Sequence, residues 1–386
     1  MKLHRPRFST RITATLACFV ALSSLVAGCS SSESTSPADD LAEGQYPDYY
    51  PAEYSEIVEA SRNEEPLDVY SIMAAEDWAP LLEGFNKVYP WVEVRTVDLG
   101  TTEVFERYYA ESATSAPTAD AIVSIAPDGW QRFMDRGELL PYESPELAKL
   151  PEWAHEWAAK GLYVISADPF SIVYNETLLP DGAEPPRSFE DVVELVQSDP
   201  DYYRGKVATY AGDAQWGMFW FIDRKLREKF WDGLRSMGPA LRFEASGGAM
   251  GEKMVSGEYA IAIYAPLSTI PRGSDSFLKF ALMTDAQVIS DRSIGITKQA
   301  KSPNSAKLLV DFLLSEAGQK LIPLMERVPY RPSVQAAVED TGWWHLSGII
   351  DDVGEDAIVQ MAPTPDILID GEYDRIVDGF SRLQGS

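Results

Sequence analysis

The sequence predicts an α/β protein of two lobes, and three observations carry that expectation. From Leu67 onward, short apolar strands alternate with amphipathic helices, the pattern of βαβ units that build a parallel sheet. Beyond residue 65 the chain has roughly 320 residues, enough to fill two lobes. Only one cysteine, Cys29, would survive past a leader segment, so no disulfide holds the fold and its stability must come from buried apolar cores.

Residues 1–29 read as a targeting segment. Lys2, Arg5, Arg7 and Arg11 give it a basic start, and the apolar run at about 12–26 is too short for a membrane span. The run Val26-Ala27-Gly28-Cys29 resembles the bacterial lipobox, with Val26 where Leu is commoner. That resemblance implies cleavage before Cys29 and lipidation of its side chain, which anchors the mature chain to a bacterial membrane. Residues 30–65 are rich in Ser, Pro, Asp and Glu and are expected to form a flexible tether.

Composition excludes several functions. A net charge of −27 argues against nucleic acid and against electrostatic docking on anionic lipid. Past the leader, His155 and His345 are the only histidines and lie far apart, leaving little material for a catalytic triad or a zinc cluster. No nucleophile elbow, phosphate-binding loop, His-Glu-x-x-His motif or dinucleotide glycine fingerprint is present, so no enzyme, cofactor or metal is expected.

The elements follow in order. Residues 67–71 form a strand, after which Trp78, Leu81, Leu82, Phe85 and Val88 recur at helical spacing until Pro90. Residues 92–97 alternate as a strand; Gly100-Thr101-Thr102 then turns into a helix carrying Val104, Phe105, Tyr108 and Tyr109. A third strand at 119–124 precedes a helix through Trp130, Phe133 and Met134. Residues 161–175 are extended without helical period. Ser188 is placed as an N-cap, with Asp191 in the capping-box position. A strand at 206–210, a helix over 212–226, a helix opened by Ser246-Gly247-Gly248 and a buried strand at 260–264 come next. Strands at 280–284 and 293–296 follow. Leu308, Leu309, Phe312 and Leu313 mark a helix, Gly318-Gln319 a break, and Leu321, Leu324 and Met325 a second helix that ends before Pro329 and Pro332. Residues 336–386 are expected to pack on the body as helices.

PNSAKLLVDFLLSEAGQ with VPYRP behind it, GLYVISADPFSIVYN and SGEYAIAIY together resemble bacterial extracellular solute-binding proteins of ABC transporters. The group is that of the ferric-ion-, phosphoglycerate- and hexose-phosphate-binding proteins, and the resemblance covers residues 67–335. It implies the two-lobe type II periplasmic-binding-protein fold, with two crossover strands near 163–175 and 270–295 and an interlobe ligand cleft. Lobe one would take 66–165 and 276–335, and lobe two 166–275. It also implies an extracytoplasmic monomer that hands a small-molecule solute to an ABC permease and its ATPase.

Ligands of open α/β sheets bind beyond the carboxyl ends of the strands. Here those ends offer Ser71, Thr101, Thr102 and Ser124 in lobe one, and Thr209, Ser246, Gly247 and Tyr264 in lobe two. Hydroxyls beside helix N-termini suit an anion such as an organic or sugar phosphate, although each taken singly has the plainer role of an N-cap. Phe170, Tyr210 and Trp216 are further candidates at the cleft edge, able to stack on a sugar or polyamine. The alternative is ferric iron. It lacks support at Pro266-Leu267, where paired tyrosines would be needed, and only Tyr264 stands nearby. A ligand sensor or a hydrolase is the second alternative.

Overall fold

The computed structural model describes residues 43–384 apart from 271–273, 275 and 370. The leader, Cys29 and the start of the expected tether lie outside the described residues. Ten strands form one sheet: β1 (Leu67–Ser71), β2 (Val94–Asp98), β3 (Ala121–Ser124), β4 (Leu162–Asn175), β5 (Val207–Tyr210), β6 (Leu241–Glu244), β7 (Ile261–Pro266), β8 (Leu278–Ala281), β9 (Gln287–Ile296) and β10 (Ile358–Met361). Their order is β2-β1-β3-β9-β4-β7-β5-β6, with β8 on β4 and β10 on β9.

The two lobes are the two ends of this sheet. β2-β1-β3 is parallel, as is β7-β5-β6. Between them run β4 and β9, antiparallel to each other from Leu162↔Gly295 to Phe170↔Val288. These two strands are the expected crossovers, and they make the sheet mixed rather than purely parallel. One edge of β9 is shared: β3 pairs with residues 293–296, and β10 with residues 287–290. Asp291 and Arg292 sit at the junction, paired on that edge with neither. Separate buried clusters fill the lobes, one around Trp78, Phe85, Leu309 and Leu313, the other around Phe189, Phe219, Phe230 and Tyr264.

Local sequence explains most of the helices. In the helix Phe189–Ser198, Ser188 Oγ accepts from the Asp191 amide as the sequence requires, while the Asp191 carboxylate takes the Arg187 amide, one residue earlier than in a regular capping box. The Phe189 and Glu190 amides donate to Asp285. Helix Pro303–Leu314 begins at its proline, and Glu64 accepts from the Asn304 and Ser305 amides. The break between this helix and the next lies at Ser315, not at Gly318-Gln319. Ser315 Oγ caps Glu316–Leu321 through the Gly318 amide. Gly318 lies inside that helix because a Cβ there would stand 2.0 Å from the Phe312 carbonyl oxygen.

Two expectations are corrected at the chain ends. The tether is shorter than residues 30–65, because Tyr54–Ser61 is a helix packed on Pro303–Leu314. Tyr50 donates to Glu146 at 2.5 Å and Tyr54 to Asp311 at 2.8 Å. Glu146 is fully buried and ion-paired with Arg331 at 2.6 Å. Asp311 also accepts from Tyr142 and Ser144, both at 2.5 Å. Side chains distant in sequence, invisible to a composition argument, supply the burial that a Ser- and Pro-rich segment lacks. The tail is likewise not purely helical, since it contributes β10 to the hinge region of the sheet.

Arg331→Ala would strand the buried Glu146 carboxylate, and the expected cost is about 3–5 kcal/mol, read from the urea midpoint. Asp291 supplies a pH test. Burial pushes its carboxyl from an ordinary 3.8 up to about 8, with Asp168 raising it further and Gln360 opposing. A raised acid makes the folded state bind the extra proton, so stability falls as pH climbs through that window. Asp291→Asn is expected to match the wild-type Tm near pH 4 and to exceed it progressively toward pH 8. An offset independent of pH would count against this assignment.

Candidate ligand-binding site

Between the lobes lies a cleft of about 220 Å³. Lobe one contributes Ile72 after β1, Leu99, Gly100 and Thr101 after β2, and Ile125 after β3. Lobe two contributes Tyr210 at the end of β5, Gln215, and Pro266, Leu267 and Ser268 at the end of β7. The floor is Asp168, Pro169 and Phe170 on β4 with Arg292 on β9, and Glu326 and Arg327 close one side. This is the carboxyl-end position expected for an α/β sheet. A larger open groove of about 820 Å³ runs between the helices Glu228–Ser236 and Glu372–Gln384, lined by Trp231, Arg235 and Arg375. It touches no strand end, so the smaller cleft is the better candidate.

Backbone geometry aims the charged groups. Asp168 pairs with Ser290, so Arg292, two residues further, shares its face of the sheet and reaches it diagonally. Asp291 faces the other way, toward Gln360 of β10. Gln215 has non-helical dihedrals inside the helix Gly212–Leu226, and the kink places it at the cleft. Glu326 has φ +58°, and this left-handed residue reverses the chain and delivers Arg327.

The electrostatics are concentrated on three residues. Arg292 directs Nε (2.9 Å) and Nη2 (2.8 Å) to one oxygen, Asp168 Oδ2. Arg327 stands 3.7 Å from the same oxygen through Nε and 3.3 Å from Asp77 through Nη2. Arg292 Nη1 and Asp168 Oδ1 are buried and have no hydrogen-bond partner among the described residues. Burial lowers the Arg292 pKa; Asp168 opposes that and Arg327 adds to it. The guanidinium stays charged, so an uncompensated N–H here is an expensive group awaiting an acceptor.

Of the hydroxyl and glycine candidates read from sequence, only Thr101 lines the cleft. Ser71 Oγ accepts from the Met73 amide and Trp78 Nε1, both at 3.0 Å. Ser124 Oγ donates to the Thr101 carbonyl and accepts from the Ala126 amide. Thr209 Oγ1 donates to the Ile263 carbonyl. Thr102 is exposed, and Ser246 is exposed as the cap of Gly247–Val255. These hydroxyls hold the loops. Gly247 is buried behind the cleft wall, where its amide meets the Tyr210 hydroxyl and a Cβ would lie 3.1 Å from it. Tyr264 is fully buried in lobe two, its ring stacked on Phe189, and its hydroxyl has no partner among the described residues. Tyr264 lies within β7 at an irregularity in its pairing with β4, with φ +53°, and its side chain packs into the lobe rather than the cleft. Phe170 and Tyr210 do line it; the Trp216 side chain lies outside the described residues.

Sequence reasoning missed Asp168, Arg292, Arg327 and Gln215. A signal existed for the first two: each is a charged residue inside a strand whose residues are otherwise almost all buried. Among the described residues, no group of three or more His, Cys, Asp or Glu could hold a metal ion.

Residues 71–320 match the family model for bacterial extracellular solute-binding proteins. The chain belongs to that family. The substrate-binding protein of an ABC transporter from Agrobacterium tumefaciens superposes with TM-score 0.73 at 20% identity, covering 83% of this chain and 96% of that one. Iron-bound HitA from Pseudomonas aeruginosa gives 0.62 at 19% identity over 82% and 99% of the two chains. The periplasmic binding protein AfuA from Actinobacillus pleuropneumoniae, with fructose-6-phosphate bound, gives 0.57 at 17% identity over 83% and 96%. No curated protein matches significantly. These structures share the two-lobe type II periplasmic-binding fold, and this solute-binding protein therefore has its cleft where the family's architecture places one. Among the described residues no helix is long and apolar enough to cross a membrane.

Tyr264→Phe separates packing from binding. Removing a buried, unpartnered hydroxyl is expected to raise stability by up to about 1–3 kcal/mol in a chemical melt. Solute affinity should not change. A loss of affinity would place the hydroxyl in the site after all.

Proposed function

We propose that this chain is the lipid-anchored receptor of an ABC importer, tethered through Cys29, and that it captures a small organic anion in the interlobe cleft. The single observation that carries the reading is Arg292 Nη1, a buried charged donor without a partner among the described residues, on a residue that lines the cleft together with Arg327. An acidic protein otherwise repels anions; two guanidiniums on the crossover strand and the 326–327 loop offset that locally, balancing Asp168 and Glu326 in the cleft lining. Cationic ligands, a polyamine or ferric iron, would meet the same two guanidiniums at close range. The lobes close over the solute by bending of β4 and β9, and the closed form passes it to the permease and its ATPase. The lipobox supports the anchor, and the monomeric body needs no second copy to complete the cleft.

Native mass spectrometry of residues 30–386, purified without added ligand, is the direct assay. A retained organic anion is expected. A thermal-shift panel of organic phosphates and carboxylates follows, with a gain of about 2.7 kcal/mol at a hundredfold excess over Kd. Arg327→Gln should weaken the best anion at least about tenfold, the worth of a charge-assisted hydrogen bond. Undiminished affinity in that variant, or a retained cation, would sink the anion reading. Arg327 is the better probe, because removing Arg292 would leave Asp168 buried without its main counter-charge.

A further inference from the structure

The cleft carries an orphan acceptor as well as an orphan donor. Asp168 uses one oxygen, Oδ2, for both the hydrogen bond and the ion-pair contact from Arg292, and Oδ1 is buried with no partner among the described residues. Arg292 Nη1 is the matching donor. Both residues lie on the same face of β4 and β9, and both line the cleft. The charged groups of the lining are balanced, Arg292 and Arg327 against Asp168 and Glu326.

Each simple ligand class fails one half of this arrangement. A bare anion would satisfy Arg292 but bring its charge against Asp168 Oδ1. A bare cation would satisfy Asp168 and face two guanidiniums. Both orphans are met by a molecule with an acid group for the arginines and, close by, an N–H or O–H for the carboxylate. The cleft, at about 220 Å³, is smaller than the roughly 300–1,000 Å³ of drug-sized sites, so the two groups belong on a short skeleton.

We propose that the solute is a small acid with an adjacent hydrogen-bond donor, an amino acid or a hydroxy acid, with its acid group on Arg292 and Arg327 and its donor on Asp168. This rests on the anion reading above and narrows it. Simple carboxylates without a donor are then poor ligands, because they leave Oδ1 unmet.

The test is calorimetry on the purified full chain, freed of retained solute by unfolding and refolding. The probes are propionate, lactate, alanine and inorganic sulfate. The first three share one carbon skeleton and differ only at the second carbon. Lactate or alanine is expected to bind at least about tenfold tighter than propionate and sulfate, which carry no donor; which of the two wins identifies the donor as hydroxyl or ammonium. In Asp168→Asn, checked for folding by its melt, that preference should shrink to within about threefold. Arg327→Gln should weaken all acid probes and keep the preference. Equal binding of propionate and its substituted analogues would overturn the donor-bearing acid while leaving anion capture intact. Binding of none of the four would also overturn it; anion capture itself then stands or falls on the larger anions of the thermal-shift panel and on Arg327→Gln.

Discussion

The antiparallel pairing of β4 with β9 is the contact that both lobes share. β3 joins β9 from one side and β7 joins β4 from the other, so each half-sheet is positioned by where it meets this pair. The pair is buried along almost its whole length. A strand in that position is built most cheaply from apolar residues, and most of β4 is, whereas β9 carries Gln287, Ser290, Asp291, Arg292 and Ser293. Asp168 and Arg292 break the rule side by side. A buried ion pair of this kind breaks even at best against apolar packing, which makes its placement at the cleft floor more readily understood as ligand chemistry than as stabilisation.

The same strand explains how the rest of the chain is tied to the hinge. β3 and β10 meet β9 end to end, and the unpaired junction between them falls at Asp291 and Arg292. Bending there moves the two ladders least, and it moves Arg292 directly. The tail reaches further, because helix Glu372–Gln384 packs on Gly212–Leu226, whose kink carries Gln215. The amino-terminal segment acts elsewhere, clasped to lobe one by Asp311 and the Glu146–Arg331 pair. Burial pushes the Asp311 carboxyl from 3.8 up to about 7 against the pull of three hydroxyl donors, so its contribution to stability is fullest below about pH 4 and is lost as pH climbs toward 7. A lipid tether attached here would hold lobe one and leave the second lobe to swing.

The site was legible at one level and not at the next. The strand-end rule leads to Gly100-Thr101, Tyr210 and the residues after Tyr264, all of which line the cleft. Most of the hydroxyls singled out within those loops do not line it. Ser71, Ser124, Thr209 and Ser246 bond to backbone a few residues away or to the next strand, which is what short hydroxyl side chains do at element ends. A one-dimensional reading sees the residue type but not which way the turn directs it, and the left-handed backbone at Tyr264 and Glu326 reversed two side chains that periodicity could not place.

The sequence by itself determined the alternation of strand and helix, the cap at Ser188, the helix start at Pro303 and the extended crossover at 162–175. All of these depend on local sterics, local hydrogen bonds and composition. Tertiary structure alone decided that Tyr50 and Tyr54 dock on partners far along the chain, that β10 joins β9, and that Asp168, Arg292 and Arg327 converge. The hydrogen bonds among them join residues more than ninety positions apart, and β10 joins a strand about seventy positions away. No propensity or spacing encodes them; they exist because two lobes, packed around their own cores, bring the edges of one sheet together.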